Sequence, residues 1–323
     1  RPGWRIRVSA GPVVVLAGGR SMEREVSLRS GASVVASLRR GGHEVLSVDP
    51  DERLVATLRA ERPSAAFVAL HGSGGEDGTV QELLEILEIP YTGSGVLACQ
   101  RSWDKVRSKS IFAADGIPTP EWTAFSQQAF RELGAAEALP DIVDKLGLPL
   151  VVKPSRQGSA LGIGVAREPG QVASALMSAL SYDDHVLLER WVSGRELAVT
   201  ILGHGEGATA LPVVEAVPKG RDFYDFEARY TPGLTELHAP ADIPAETASE
   251  ASSIALACHR SLGCRGFSRV DLLLDESDAL WVLEVNAIPG MTDTSLLPKA
   301  AEAAGSGFDE VVERVLADAT LGL

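Results

Sequence analysis

Residues 268–286 read SRVDLLLDESDALWVLEVN. Two apolar runs in this stretch, Arg269–Leu274 and Leu280–Val285, flank the turn-rich tetrapeptide DESD. Short apolar runs on either side of turn-forming residues are typical of an antiparallel β-hairpin. We therefore predict a hairpin here, with Glu276 and Ser277 as its two-residue turn.

The predicted register gathers polar side chains on one face of this hairpin. A two-residue turn pairs Asp271 with Val282. Two positions further along, it pairs Arg269 with Glu284. Since side chains alternate along a strand, one face then carries four polar residues: Arg269, Asp271, Glu284 and Asn286. The other face is predicted to point into a core: Val270, Leu272, Leu274, Leu283 and Val285.

The polar face has the composition of a metal site. Two carboxylates and an amide oxygen are hard ligands that suit Mg²⁺ or Mn²⁺ holding substrate phosphates. The alternative is an ordinary solvated face, on which Arg269 and Glu284 form a cross-strand ion pair. The rigid Pro-Gly turn that follows Asn286 favours the metal site.

A second segment has the character of a phosphate-binding loop. Only six of the 30 Lys and Arg residues are lysines, and Lys153 is one of them. It ends the strand-like run Leu150–Lys153 and precedes the glycine-rich segment Ser155–Gly162. Lysine offers phosphate a compact charge, and glycines let backbone N–H groups close over an anion. The alternative is a strand-end lysine beside an ordinary hairpin loop.

The rest of the chain predicts three lobes. Short apolar runs and helical patterns alternate up to about residue 94, which indicates a parallel sheet with helices on both faces. One long helix, Val96–Ala114, is predicted next, and strand pairs rather than crossovers follow it. The predicted fold is α/β and α+β, with an N-terminal parallel-sheet α/β lobe (1–94), a small central lobe (95–189) and a C-terminal mixed α+β lobe (190–323).

Composition and charge exclude several classes of protein. A net charge of −14 and a pI near 4.9 argue against a nucleic-acid binder. The three cysteines show no metal-binding or disulfide spacing, which favours a reducing, cytoplasmic setting. No apolar stretch approaches the roughly 18–20 residues that span a membrane, so no membrane association is expected. Neither GxGxxG after a strand nor GxxxxGK[ST] occurs, which disfavours dinucleotide oxidoreductases and P-loop NTPases.

A set of ordered blocks covers nearly the whole chain. In order, they are GGRSMEREVSL (18–28), HGSGGEDG (71–78), PYTGSG (90–95), DK (104–105), VKP (152–154), FYD (223–225), EVN (284–286) and PGMT (289–292). Any one block alone is weak evidence for a protein family, but the order and spacing of all the blocks together are specific. From about Val13 to Ala319, the chain resembles the D-alanine–D-alanine ligases of the ATP-grasp superfamily.

The resemblance implies a role for each candidate residue. The ATP site would comprise Lys105, Lys153, Glu189, Arg190, Val192, Glu196 and Arg229. Two Mg²⁺ or Mn²⁺ ions would be bound by Asp271, Glu284 and Asn286. The first D-alanine would be held by Glu23, Ser159 and Tyr230, with His71 nearby. An oxyanion hole would comprise Arg269 and the Gly290 N–H, and the second carboxylate would be received by Ser295 and Leu296.

The implied reaction is the joining of two D-alanines for peptidoglycan synthesis. The γ-phosphoryl group of ATP would activate the first carboxylate as an acyl phosphate, which the second amine then attacks. Residues 223–230 would form a loop that closes over the site and excludes water. Family members are commonly homodimers, and Tyr230 is the residue expected in ligases that make the dipeptide rather than an ester.

Several residues leave other interpretations open. Glu23 would equally suit the first turn of a helix, and His71 and Tyr230 could be structural. Arg107 and Lys109 are expected on a solvated helix face. Departures from the family pattern at four positions leave room for a different acceptor amino acid in a specialised pathway: Gln100, Arg101, Ala160 and Ala287.

Overall fold

The computed structural model describes residues 11–220, 228–229, 231 and 233–322. The first of its three sheets is parallel, with the strand order β2-β1-β3. Its strands are β1 (Val13–Leu16), β2 (Val45–Val48) and β3 (Ala65–Val68), and its helices are α1 (Arg24–Arg40), α2 (Leu54–Glu61) and α3 (Thr79–Ile86). The predicted N-terminal parallel sheet is thus confirmed. Gly31 lets α1 pack closely on β1, because a Cβ there would lie 2.3 Å from the Ala17 Cβ.

The second sheet is antiparallel and has the strand order β4-β7-β5-β6. Its strands are β4 (Trp122–Ser126), β5 (Leu150–Pro154), β6 (Gly164–Ala166) and β7 (His185–Arg190). Helices α6 (Gln127–Glu132), α7 (Leu139–Leu146) and α8 (Pro169–Ala179) and a 3₁₀ turn (Ala135–Ala138) connect them. Apolar side chains of this sheet and of α7 and α8 form a core of their own.

The third sheet is the largest, with the order β11-β10-β8-β12-β13 and β9 paired to β8. Its strands are β8 (Gly194–Leu202), β9 (Thr209–Ala210), β10 (Val214–Pro218), β11 (Thr235–His238), β12 (Phe267–Asp275) and β13 (Leu280–Asn286). The helices of this region are α9 (Ala245–Leu262), α10 (Leu296–Ala303) and α11 (Phe308–Ala317), and Gly205–Gly207 form a 3₁₀ turn. Within the described part of the chain, no helix is both long and apolar enough to cross a membrane.

Two helices replace the single long helix predicted from Val96 to Ala114. Helix α4 (Val96–Trp103) and helix α5 (Lys105–Ala114) are separated by Asp104, whose backbone is extended with φ −92° and ψ 103°. Its carboxylate accepts hydrogen bonds from the N–H groups of Val106 and Arg107. Aspartate competes well for such a capping position, so Asp104 ends one helix and starts the next.

The hairpin forms as predicted, but its turn and register differ. The Asp275 N–H donates to the Ala279 carbonyl, so the loop has three residues rather than two, and Asp278 is left-handed with φ 63°. A bulge then follows: Leu272 pairs with Val282, whereas Asp271 pairs with Glu284. Leu283 is the extra residue.

The bulge preserves the polar face and changes the apolar one. Arg269 pairs with Asn286 and Asp271 with Glu284, so these four side chains do share one face. Val282 is buried in the core, while Leu283 lines a cavity on the polar side. The prediction that Leu283 points into the core is therefore wrong, because an extra residue in one strand reverses the alternation beyond it.

Candidate active site

A cavity of about 410 Å³ lies between the second and third sheets. Apolar side chains from both sheets form its walls, including Val151, Val165 and Leu273. All seven residues expected at an ATP site line it: Lys105, Lys153, Glu189, Arg190, Val192, Glu196 and Arg229. Two of the expected metal ligands, Asp271 and Glu284, line it as well. A groove with apolar walls and several cations is suited to a nucleotide.

The two predicted phosphate lysines approach the cavity from different elements. Lys153 is the fourth residue of β5, and its Nζ donates to Glu189 Oε1 at 2.6 Å. Lys105 is the first residue of α5, and its Nζ donates to the Gln157 carbonyl at 2.6 Å and lies 3.2 Å from Glu284 Oε2. Both cations are therefore held in place by carboxylates at the cavity wall.

The start of α5 is bonded directly to the glycine-rich loop. The Lys105 N–H donates to the Ser155 carbonyl at 2.9 Å, and the Ser155 hydroxyl donates to Asp104 at 2.8 Å. The break between α4 and α5 thus fixes Lys105 beside the loop. Further along this loop, Ser159 and Ala160 both have left-handed backbones, with φ of 52° and 57°.

Lys109 is buried, which corrects the prediction of a solvated helix face. Its side chain is 0% exposed, and its Nζ lies 2.6 Å from Glu189 Oε2. Arg107 on the same helix is exposed and pairs with Asp104 at 3.4 Å, as expected. Lys109 lies one helical turn after Lys105, so the spacing of two scarce lysines is the signal that could have indicated its inward orientation.

The polar face of the hairpin is strongly charged. Arg269 donates to both Asp271 oxygens, at 2.6 and 2.8 Å, and the Asn286 amide donates to Asp271 at 3.3 Å. Burial opposes ionisation of Glu284, but the cations Lys105, Arg229 and Lys153 outweigh it and lower its pKa to about 2. Two carboxylates beside an amide form a donor set that fits Mg²⁺ or Mn²⁺.

Glu23 forms a second, buried site close to the glycine-rich loop. It precedes α1, is 4% exposed, and accepts a hydrogen bond from the Ser159 hydroxyl. Burial, followed by the nearby Glu76 carboxylate, raises the pKa of Glu23 to about 7. Within the described part of the chain, no donor reaches its Oε2. A buried carboxylate with an unused oxygen is suited to an ammonium group.

His71 connects this site to the turn after the hairpin. Its Nδ1 lies 3.1 Å from the Ile288 carbonyl, and its Nε2 lies 2.9 Å from the Ser30 hydroxyl. A carbonyl only accepts, so in the neutral ring Nδ1 carries the hydrogen and Nε2 accepts from Ser30. Ser30 also accepts from the Met291 N–H at 3.1 Å. Sequence reasoning missed Glu76, whose carboxylate lies 3.5 Å from His71 Nδ1, although the HGSGGEDG block contains it.

The turn containing Gly290 lies against Ser295. A Cβ at Gly290 would lie 2.7 Å from the Ser295 Oγ, so only glycine fits without movement. The Ser295 Oγ accepts from the Thr292 N–H at 3.0 Å, and Leu296 begins helix α10. Backbone N–H groups at such a helix start favour a carboxylate. Tyr230, the remaining predicted residue, and most of the predicted closing loop lie outside the described residues.

The four departures from the family pattern separate into two groups. Ala160 lines the large cavity, and Ala287 lines a small adjoining cavity next to Asn286. Gln100 instead donates to Glu82 at 3.3 Å, and Arg101 donates to the Leu262 carbonyl at 3.4 Å. Neither of these two is among the described residues that line a cavity. Of these four, Ala160 and Ala287 are therefore the residues placed to affect a substrate directly.

One acidic cluster lies away from both cavities. Ligand atoms of Asp183, Asp184 and His185 lie within 4.8 Å of one another. The Arg156 guanidinium already binds both carboxylates, with Nη2 donating to Asp183 at 2.6 Å. The hairpin residues are the better candidate metal ligands, since Asp271 and Glu284 line the large cavity and Asn286 lines the small cavity beside it.

Comparisons with known proteins agree with this geometry. The family described as D-ala D-ala ligase C-terminus matches residues 111–317, and that described as D-ala D-ala ligase N-terminus matches residues 49–94. The D-alanine–D-alanine ligase of Carboxydothermus hydrogenoformans is 44% identical over 304 residues, which cover 94% of this chain and 96% of the relative.

Two solved structures share the fold. The D-alanine–D-alanine ligase from Bacillus anthracis complexed with ATP has a TM-score of 0.80 at 32% identity, covering 96% of this chain and 97% of that one. The VanG D-Ala:D-Ser ligase from Enterococcus faecalis has a TM-score of 0.80 at 26% identity, covering 94% and 98%. The predicted ATP-grasp architecture is thereby confirmed. The chain belongs to the D-alanine–D-alanine ligase family.

Proposed function

We propose that this protein joins two D-alanines at the expense of ATP, releasing ADP and phosphate, as a step in peptidoglycan precursor synthesis. The observation that carries the proposal is the cavity of about 410 Å³, which brings Lys105 and Lys153 together with Asp271 and Glu284. The ATP complex of the related Bacillus anthracis ligase supports a nucleotide there.

The first step needs a carboxylate to attack the γ-phosphoryl group despite like charges. Lys105 and Lys153 would neutralise the phosphates and hold them in line with the attacking oxygen. Asp271, Glu284 and Asn286 would hold Mg²⁺ or Mn²⁺, which when bound supplies further neutralisation of phosphate charge. The ionised state of Glu284 supports this assignment, because a neutral carboxyl would be a poor ligand.

The first D-alanine would be oriented by its ammonium group. The unused Oε2 of Glu23 supports this role, and the Ser159 hydroxyl on Oε1 would keep the carboxylate directed at the ammonium. A bound ammonium would also favour the ionised form of Glu23. Tyr230 would complete this subsite, as the family resemblance implies.

The second step is attack of an amine on the acyl phosphate. Arg269 and the Gly290 N–H would stabilise the oxyanion that develops at the carbonyl. Asp271 fixes the Arg269 guanidinium with two hydrogen bonds of 2.6 and 2.8 Å, so the guanidinium does not need to reorganise during the reaction. Ser295 and the start of α10 at Leu296 would receive the carboxylate of the second D-alanine.

The test is phosphate release with a panel of amino acids. Protein, ATP and Mg²⁺ with D-alanine alone should release phosphate and give a dipeptide of the expected mass. L-alanine serves as the matched negative control. Phosphate release that requires a second amino acid other than D-alanine would overturn the proposed substrate pair while leaving an ATP-dependent ligase.

A different acceptor is the second candidate. The likeness to a D-Ala:D-Ser ligase and the small residue Ala287 beside Asn286 both favour it. D-serine and D-lactate in competition with D-alanine distinguish these acceptors, because the mixed product differs in mass.

We also propose that the protein is a cytoplasmic homodimer. Light scattering on the purified protein would test its oligomeric state.

A further inference from the structure

Lys109 is a completely buried cation that has no role in the reaction proposed above. Its side chain is 0% exposed, and its Nζ lies 2.6 Å from Glu189 Oε2. The same ammonium donates to the Thr119 hydroxyl and, at 3.3 Å, to the Pro120 carbonyl. Three oxygen atoms of the protein thus surround this ammonium, two as hydrogen-bond acceptors and one as an ion-paired carboxylate. Lys109 is also not among the described residues that line the cavity, so it does not contact a nucleotide bound there.

The group that Lys109 holds is shared with a predicted phosphate lysine. Glu189 is buried, and its other oxygen, Oε1, accepts from Lys153 Nζ at 2.6 Å. Burial disfavours the charged form of Glu189, but Lys109 and then Lys153 outweigh this and keep the pKa of Glu189 below its usual value. One buried carboxylate is thus stabilised by two cations, of which only Lys153 reaches the cavity.

The anchorage of Lys109 extends to the third sheet. The Thr119 hydroxyl that accepts from Lys109 donates in turn to the Val282 carbonyl on β13 at 2.8 Å. Val282 precedes the bulge at Leu283 and Glu284, the proposed metal ligand. Lys109 is consequently held by Glu189 on one side and by Thr119 on the other, so it would stay in place if Lys153 turned towards a phosphate.

We propose that Lys109 is the positioning residue that allows Lys153 to bind the phosphates of ATP. When Lys153 turns towards a phosphate, Glu189 keeps a full ionic partner in Lys109. Without Lys109, Glu189 would be a buried charge with Lys153 as its one remaining ionic partner among the described residues, and it would hold that lysine back from the nucleotide. This inference rests on the proposed function only in taking the cavity to be the ATP site.

The experiment measures the dissociation constant of ATP by titration calorimetry for the wild type and for Lys109→Met. We expect Lys109→Met to weaken ATP binding about tenfold or more, with the KM of D-alanine unchanged. The decisive comparison is made in a Glu189→Gln background, where no charge is left to stabilise. There, adding Lys109→Met should leave the ATP affinity of Glu189→Gln unchanged.

The outcomes separate this proposal from a purely structural role. An equal loss of ATP affinity in both backgrounds would show that Lys109 only supports the fold, and an unchanged affinity in Lys109→Met would also overturn the proposal. If the methionine variant does not fold, as judged by circular dichroism, Lys109→Gln is compared in the same two backgrounds. A wild type that does not bind ATP would refute the proposed function instead.

Discussion

Gly158 provides a steric test of the proposed first subsite. A Cβ at this residue would lie 2.5 Å from Glu23 Oε2 and 3.1 Å from Glu23 Cδ. Its φ is not positive, so alanine suits the backbone and the clash with Glu23 is the whole perturbation. To restore an ordinary contact of 3.4 Å, the carboxylate or the loop must move by about 0.9 Å. Since a misplacement near 1 Å costs about 10²-fold in rate, Gly158→Ala should lower kcat/KM for D-alanine by about that factor.

The assay is phosphate release at saturating ATP with D-alanine varied. The KM of ATP should stay unchanged, because neither Gly158 nor Glu23 is among the described residues that line the large cavity. Gly170→Ala on α8 is the matched control, since a Cβ there meets nothing within 4 Å. A Gly158→Ala protein that is folded and retains the kcat/KM of the control would refute the reasoning that this contact sets the position of Glu23.

Three further predictions concern a metal ligand, a titrating acid and a strained turn. Glu284→Gln should retain the fold by circular dichroism and raise the Mg²⁺ concentration for half-maximal turnover by about tenfold or more, and an unchanged Mg²⁺ titration would contradict the assignment. Because the pKa of Glu23 is raised to about 7 from 4.5, the folded protein binds this proton more tightly than the unfolded chain, and stability is lost as the pH rises between these values. Glu23→Gln should therefore be more stable than the wild type at pH 8, by roughly 3 kcal/mol in urea unfolding, with the difference shrinking towards pH 5; a difference independent of pH would count against it. Glu88 after α3 has a left-handed backbone with φ 54°, so Glu88→Gly should raise the free energy of unfolding by about 0.5–1 kcal/mol, and a lower urea midpoint would contradict this.

Strand alternation predicted that Arg269 shares a face with Asp271, and Glu284 with Asn286; both pairs lie on the same face because the extra loop residue and the bulge together shift the register by an even number, two. The observed pairing of Arg269 with Asn286 and of Asp271 with Glu284 then brings the four side chains together. The register could not be predicted in the same way. The length of the turn depends on the left-handed backbone of Asp278. The bulge at Leu283 does not change the pattern of apolar and polar residues in the sequence, because a leucine fits equally well in a core or in a cavity wall.

Long-range contacts account for the other errors. The break at Asp104 was missed although an aspartate can cap a helix locally, and the contact that singles out this position, from the Ser155 hydroxyl, comes from a residue distant in sequence. Lys109 looked solvated because a buried lysine is rare, and its partner Glu189 lies 80 residues away in the chain. Local patterns thus predicted most of the elements and the hairpin residues, the family resemblance implied most of the other cavity residues, and pairings across lobes required the structure.

Lys105, which is proposed to bind a phosphate of ATP, is already paired with an anionic side chain of the protein itself. Its ammonium already has a carboxylate partner, Glu284 Oε2 at 3.2 Å, and Lys153 likewise lies 2.6 Å from Glu189 Oε1. If the cavity is the ATP site as proposed, nucleotide binding there would be a counter-ion exchange, in which a phosphate competes with a carboxylate for the same cation. The affinity for an adenine nucleotide should then increase with the negative charge of its phosphates. Adenosine, which has none, should fill only the apolar part of the cavity and leave the Lys105–Glu284 pair intact.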